Sequence, residues 1–311
     1  MGAGAYSIYP RASIGDASLT STMLGAAYTI AATRVDTRVM AQNRALTGAY
    51  RGVGQPVAMA VTEILMDDAA HAAGIDPLTF RRQHYPADGA PTTSAGGIRA
   101  DALSLHGCID RLEELMDYAA LRQRQAAARE SGRIEGIGVA TLIELTAPGA
   151  GLYGAQEIDV TAEDAATVAL LPGAAVRVQI GCTDQGQGTL TGVAQIVADQ
   201  LGLDAADVAV TAGDSAGPIG GGASASRGLS IGGAAAFKAA AAVAQQVTAI
   251  AAILLQEDPT GLSLSDGAVI DSKGAQRLTV AEIAQIAHYR QHLLPDDAVT
   301  TMSATRSYVP R

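Results

Sequence analysis

Gly181-Cys-Thr-Asp-Gln-Gly-Gln-Gly188 opens, and Gly213-Asp-Ser-Ala-Gly-Pro-Ile-Gly-Gly-Gly-Ala-Ser-Ala-Ser-Arg-Gly228 closes, the stretch on which the reading of this chain turns. Between the two Gly-rich loops, Leu190, Val193, Ala194, Val197 and Leu201 recur at helical spacing, so an amphipathic helix is predicted there. A short strand over Ala206–Ala212 follows it. Gly186 and Gly188 bracket Gln187 and allow a sharp bend with close backbone approach. The second loop runs through Ser224 and Ser226 into a long Ala-rich helix. Free amides at such a loop-to-helix junction, with the positive end of the helix dipole, suit an anionic group such as phosphate. Either loop alone is explained as well by ordinary turns and caps. Neither has the P-loop spacing or a Gly-x-Gly-x-x-Gly after a strand.

Outward from this stretch, the N-terminal side supplies more strands: Gly136–Leu145, Gln156–Val160, Ala166–Leu171 and Val176–Ile180, the last delivering the chain to Gly181. Glu144 is the one carboxylate in the first of these, and an exposed edge position is its ordinary explanation. Further back, Gly107–Glu130 has helical periodicity, with Ile109, Leu112, Met116 and Ala119 inward. Asp76-Pro77 forms an N-cap and first-turn pair for a short helix with Phe80 inward and Arg81 and Arg82 on its outer side. Before it, Gly48-Ala-Tyr-Arg-Gly-Val-Gly-Gln-Pro56 leads into a helix whose apolar positions are Val57, Val61, Ile64 and Leu65, ending at Gly74. Arg51 stands at the mouth of that turn, either as a solvated loop residue or facing an anion. Ala27–Val39 is expected to be a strand or hairpin, and residues 1–23 give no clear element. On the C-terminal side come turns at Pro259–Gly261 and Asp266-Gly267, a helix over Ala281–His288 and a closing strand. The pattern is mixed α+β, in two units meeting near residues 125–135.

Composition narrows the function. The 311 residues are 48% hydrophobic, 17% charged and 4% aromatic, with 35 Gly and no Trp, and the net charge is −10. That balance, with no basic cluster, argues against a nucleic-acid partner. Two cysteines, Cys108 and Cys182, cannot hold an iron–sulfur cluster or a Cys-rich zinc site, and are expected to be small buried residues. His288 and His292 sit four apart beside Leu293 and Leu294, a weak metal pair. Ile231–Leu255 is broken by Lys238, Gln245 and Gln246 and rich in Ala, so a buried helix is expected in place of a membrane span. No secretory leader is visible, and a cytoplasmic location is expected.

Gly48-Ala-Tyr-Arg-Gly-Val-Gly-Gln-Pro56, Glu63 and Asp67, Gly74-Ile-Asp-Pro77, Arg81-Arg82, Gly136-Ile-Gly-Val-Ala140, Gly186-Gln-Gly188, Gly213-Asp-Ser215 and Ser226-Arg227 occur in an order that resembles the large subunit of molybdenum hydroxylases, the xanthine dehydrogenase and aldehyde oxidase family. The resemblance implies two molybdopterin-binding-type domains, each incomplete here: residues 1–130 as the C-terminal part of the first, 131–311 as the N-terminal part of the second. It implies a molybdenum–molybdopterin cofactor, with the cytosine dinucleotide one candidate form. The residues carried over as cofactor-binding are Arg51, Gln187, Gly188, Ala225 and Ser226. No protein side chain is expected to ligate the metal. The family's catalytic glutamate lies in a Gly-x-Gly-Glu segment with no counterpart here, so no catalytic residue is assigned. Gly52 stands where carbon monoxide dehydrogenases carry a copper-binding cysteine, and Val53 where purine-oxidising members place a ring-stacking Phe. The implied activity is hydroxylation of an N-heterocycle or aldehyde with oxygen from water. Its implied partners are the remainder of the molybdenum subunit, an iron–sulfur subunit and an FAD subunit. The alternative is a non-catalytic scaffold piece of such a complex, which would keep these loops only as turns.

Overall fold

The computed structural model describes residues 2–4, 12–45, 48–155 and 160–310. It divides into two units, Met1–Glu144 and Leu145–Arg311.

The first unit is mainly helical. Strand β1 (Gly2–Gly4) pairs in parallel with β2 (Met40–Gln42), and helix α1 (Ala12–Met23) lies between them in sequence. That helix went unseen in the sequence because Ser, Thr and Gly weaken its propensity. Packing compensates: a Cβ on Gly54 would lie 2.1 Å from the Asp16 carbonyl oxygen, so only glycine lets α1 approach the following turn so closely. Helix α2 (Gln55–Ala73) has Pro56 in its first turn and ends at Gly74, whose left-handed backbone donates to the Ala70 and His71 carbonyls. Helix α3 (Pro77–His84) is capped by Asp76, which accepts from the Leu78 and Thr79 amides.

The faces differ from the sequence expectation. In α2 the buried positions are Gln55, Ala58, Thr62, Glu63, Met66 and Ala70, whereas Val57, Val61, Ile64 and Leu65 are exposed. The reason is Arg81, expected on the outside of α3 but wholly buried. Its Nε donates to Glu63 Oε2 at 2.9 Å and its Nη1 to Asp67 Oδ1 at 2.7 Å, while Tyr28 Oη donates to Glu63 Oε1 at 2.6 Å. A buried guanidinium needs paired carboxylates, and that need turns the Glu63 side of α2 inward. Arg82 is half-buried and bonds Asp110 and Glu113. In α3 it is Leu78 that is buried, with Phe80 packed only partly against the core.

After the small ladder of β3 (Thr92–Thr93) and β4 (Arg99–Ala100), the expected single helix is two. Helix α4 (Leu105–Met116) and α5 (Tyr118–Glu130) are split at Asp117, whose backbone is left-handed at φ 46° and whose carboxylate caps α5 through the Ala120 amide. Of the four expected inward residues only Ile109 is buried. Residues 27–39 form no strand, and nearly all of Thr29–Val39 is exposed. Residues 136–144 form none either, although burial alternates with period two. Ile137, Val139, Thr141 and Ile143 are half-buried, and Thr141 bonds the Tyr85 hydroxyl at 2.5 Å. The segment has a strand's pattern but no ladder partner among the described residues. Glu144 is exposed, as expected for an edge acid.

The second unit is built on a four-stranded sheet. Helix α6 (Ala150–Ala155) precedes β5 (Asp164–Leu170) and β6 (Val176–Ile180), which pair antiparallel. The expected strand at Gln156–Val160 lies, apart from Val160, outside the described residues. Helix α7 (Thr189–Leu201) crosses over to β7 (Val208–Ala212), which pairs parallel to β6. One π-helical turn, Gly228–Gly232, leads into α8 (Gly233–Leu255). A meander of β8 (Ser263–Ser265), β9 (Ala268–Ile270) and β10 (Gln276–Thr279) follows, with the Asp266-Gly267 turn joining its first two strands. Helix α9 (Val280–Tyr289) and β11 (Ser303–Tyr308) complete the unit, β11 pairing antiparallel with β5.

The apolar face expected of α7 is the buried one, through Val193, Ala194, Val197 and Leu201. Helix α8 meets the sheet through Ala235, Ala236, Ala239, Ala240, Val243, Val247 and Ile250, all buried. Alanine keeps helix and sheet close, and the alternating inward residues of β5, Ala166, Val168 and Leu170, complete the layer. By length and composition Gly228–Leu255 could cross a membrane; here one side of it forms the centre of the core.

Candidate functional site

The three loops that stood out in the sequence each carry backbone that L-residues seldom adopt, as several other turns do. In the first unit, Gly52, Val53 and Gly54 have φ of 92°, 41° and 76° in succession. A β-branched residue at positive φ is a true outlier, and such strain concentrates at functional sites. The turn is closed by Val53 N–H donating to Tyr50 O at 2.7 Å and Gln55 N–H to Gly52 O at 3.1 Å. The amides of Arg51, Gly52 and Gly54 have no protein partner among the described residues. Arg51 is exposed, and its guanidinium makes no ion pair among them.

The other two loops lie in the second unit and pack together. The start of α7 rests against the π-helical turn. A Cβ on Gly192 would sit 2.7 Å from Leu229 Cδ1, and one on Gly228 3.2 Å from Thr189 Oγ1. Cys182 seals this contact: it is buried, its thiol lies 3.6 Å from the Gly228 carbonyl oxygen, and burial pushes that thiol up to about 11. Cys108, expected to be buried as well, is exposed. Gly188 and Ser226 thus belong to one neighbourhood of the molecule.

Their chemistry differs. In the first loop Asp184 Oδ1 accepts from the Gly186 amide at 2.9 Å and the Gln187 amide at 3.0 Å, and Gln187 Oε1 accepts from the Gln185 amide at 3.3 Å. Two of the amides that could meet an external anion are therefore held by an internal one. What stays available is the N-terminus of α7 beyond Gly188, which is left-handed at φ 74°. In the second loop side chains take only outer amides, Ala216 donating to Asp214 Oδ1 at 2.9 Å and Gly221 to Asp164 Oδ1 at 2.8 Å. The amides of Gly222, Ala223, Ser224, Ala225 and Ser226 have no protein acceptor among the described residues, and Ser224, Ala225 and Ser226 are exposed. Ala225 and Ser226 are left-handed in succession, φ 52° and 56°. Exposed, consecutive, unpaired amides on strained backbone form the kind of concavity that binds anions.

Not every glycine here serves a ligand. A Cβ on Gly221 would lie 2.4 Å from Arg227 Nη1, so this glycine makes room for a buried guanidinium. Arg227 and Asp164 are each fully buried and bond one another at 3.2 Å. Asp164 escaped the sequence reading because its partner lies 63 residues away and nothing local marks an acid at the head of a strand. Asp184 was readable as an Asx-turn residue two before a glycine. No group of three or more His, Cys, Asp or Glu side chains is placed to hold a metal among the described residues. His288 Nε2 instead lies 3.1 Å from the Leu170 carbonyl oxygen. Arg51 falls in the other unit from Gln187, Gly188, Ala225 and Ser226, which the second unit brings together.

Two family models, both described as molybdopterin cofactor-binding domain, match residues 1–85 and 111–310. The nicotine 6-hydroxylase large subunit of Paenarthrobacter nicotinovorans is 32% identical over 249 residues, 79% of this chain and 30% of that protein. The xanthine dehydrogenase molybdenum-binding subunit of Escherichia coli O157:H7 is 29% identical over 227 residues, 72% of this chain and 29% of that one. Among solved structures, quinoline 2-oxidoreductase from Pseudomonas putida 86 superposes with a TM-score of 0.89 at 31% identity, covering 100% of this chain and 40% of that one. The chain spans less than half the length of each of these relatives.

Proposed function

The chain belongs to the molybdopterin cofactor-binding family, in the large subunits of molybdenum hydroxylases, and from that premise we propose that it holds part of a molybdenum–molybdopterin cofactor for the hydroxylation of an N-heterocycle or an aldehyde, with water as the oxygen source. The observation that carries this reading is the run of unpaired amides on Gly222–Ser226, centred on the left-handed pair Ala225–Ser226. The residues fit such a group: Ser224–Ser226 are exposed, no carboxylate takes the amides of Gly222–Ser226 among the described residues, and the backbone is shaped for an anion. In this reading Ala225 and Ser226 bind through their amides, Gly188 contributes at the start of α7, Gln187 offers its side chain, and Arg51 offers the free amide of its strained turn. The bound cofactor supplies the metal centre that transfers oxygen and takes up electrons. No residue of this chain is assigned as the base; the proton is taken by a group outside these 311 residues.

Two relatives, a nicotine 6-hydroxylase and a quinoline 2-oxidoreductase, support the N-heterocycle side of the proposal. The cytosine dinucleotide is the proposed form of the cofactor. The proposed partners are the remainder of the molybdenum subunit, an iron–sulfur subunit and an FAD subunit, in the cytoplasm. The division into domains at 1–130 and 131–311 is part of the same proposal; the second family match begins before that boundary, at residue 111, and the compact units divide after it, at Glu144.

The test is molybdenum per assembled complex. Ala225→Phe fills the approach to the amides and is expected to abolish cofactor retention with the fold intact by circular dichroism. Ser226→Ala, which keeps the amide, weakens retention by only about 1 kcal/mol. A folded Ala225→Phe complex with its full molybdenum content would show that the loop is only a turn and favour the scaffold alternative.

A further inference from the structure

We propose that the buried Arg227–Asp164 pair is a positioning device that locks Ala225 and Ser226 in their left-handed conformation and so pre-forms the anion cradle; this rests on the cofactor reading above. Arg227 follows Ser226 directly, and every nitrogen of its guanidinium is used. Nη1 donates to Thr161 O at 2.5 Å, Nη2 to Glu163 O at 3.0 Å, and Nε and Nη2 to Asp164 Oδ2 at 3.3 and 3.2 Å. The other carboxylate oxygen of Asp164 accepts from the Gly221 amide at 2.8 Å. The pair therefore grips the loop on both sides of Gly222–Ser226. A third tie reaches its apex, where the Ala147 amide donates to Ala225 O at 2.7 Å.

The energetics favour a geometric role over a stabilising one. Removing two charges from water costs free energy that mutual attraction only partly restores, so a buried pair adds little to stability relative to apolar packing. Burial raises the Asp164 carboxyl above its ordinary range even though the Gly221 amide and Arg227 pull it down. Two left-handed L-residues in succession relax toward ordinary backbone unless their flanks are fixed. The pair fixes both flanks, and the unpaired amides between them stay presented.

The test uses the assembled complex with three variants. Arg227→Lys keeps the charge but cannot make the forked set of bonds, and molybdenum per complex is expected to fall about tenfold with circular dichroism unchanged. A crystal structure of that variant is expected to show Ala225 or Ser226 outside the left-handed region. Adding Ala225→Gly and Ser226→Gly to Arg227→Lys is expected to recover most of the molybdenum, because glycine takes positive φ without steric cost. A merely structural role gives no such rescue. Full molybdenum content in Arg227→Lys, an unchanged backbone at 225–226, or a failed glycine rescue would each overturn the proposal. Should Arg227→Lys not assemble, Asp164→Asn is read against the same outcomes. The backbone readout separates the two levels: if Ala225→Phe retains molybdenum the cradle reading has failed, while the position of Ala225 in Arg227→Lys still decides the clamp.

Discussion

Arg81 and Arg227 are both fully buried, one in each unit, and they sit in unlike surroundings. Around Arg81 the apolar core is small, formed by Ala27, Tyr28, Met66, Leu78, Tyr85, Leu105 and Ile109. Two carboxylates, Glu63 and Asp67, and the Tyr28 hydroxyl complete it. Burial opposes the Arg81 charge, but the bonds to Asp67 and Glu63 outweigh it and hold the guanidinium above its ordinary range. Tyr28 is pushed upward by burial and by its bond to Glu63. Arg227 instead lies at the margin of a large continuous core in which α7 and α8 cover the sheet and α9 packs on α8. The contrast teaches that the same buried side chain does two jobs. Residues 1–144 are held together by a polar network, whereas residues 145–311 are held by apolar packing and use their buried pair to set the shape of a loop.

The largest effect that can break this comparison is at Arg81. Arg81→Met strands the Glu63 carboxylate in the core and should cost roughly 3–5 kcal/mol. Hydrogen exchange should show the loss in α2 and α3, with β5, β6 and α8 keeping their protection. A loss below about 1 kcal/mol would mean the network is not what holds that unit. A smaller effect is expected at Ala239, fully buried where α8 meets the sheet. Ala239→Leu adds volume to a filled layer and should cost roughly 1–3 kcal/mol, visible in thermal denaturation and in exchange at β5 and β11. Tolerance of leucine there would mean the second core is looser than its burial implies.

The smallest expected effect sharpens the picture at one helix end. Thr279 and Glu282 form a reciprocal capping box on α9, and Thr279→Ala should cost about 1 kcal/mol. The Thr279 amide, then its hydroxyl, hold the Glu282 carboxyl below its ordinary range. A depressed carboxylate stabilises the fold fully above the unfolded value of about 4.3 and loses that contribution as pH falls through its own lower value. The stability gap between the wild-type chain and Thr279→Ala should therefore narrow in acid. A gap unchanged across that range would remove Glu282 from the cap.

The comparison also explains what could be read from the residues alone. The second unit was legible because its elements follow local rules: alternation in β5 and β6, helical period in α7, turns at Pro259–Gly261 and Asp266-Gly267. The first unit was not, because its faces are set by partners far apart in sequence. The stripe Val57, Val61, Ile64 and Leu65 has the better apolar period, yet Glu63 is drawn inward by Arg81, 18 residues on. Residues 136–144 keep a strand's alternation without a strand to pair with among the described residues. At the candidate site the unusual composition pointed to loops whose backbone includes positive φ. It could not show that Asp164 and Arg227 frame the second loop. Those are contacts across 63 residues for which no local pattern exists.

The central claim is that the amides of Gly222–Ser226 meet an anionic part of the cofactor. An experimental structure of the assembled, molybdenum-containing complex measures this directly. The account predicts a cofactor oxygen within hydrogen-bond reach, about 2.7–3.2 Å, of the Ala225 or Ser226 amide, with both residues still left-handed. A cofactor seated elsewhere, with these amides facing only solvent, would contradict it.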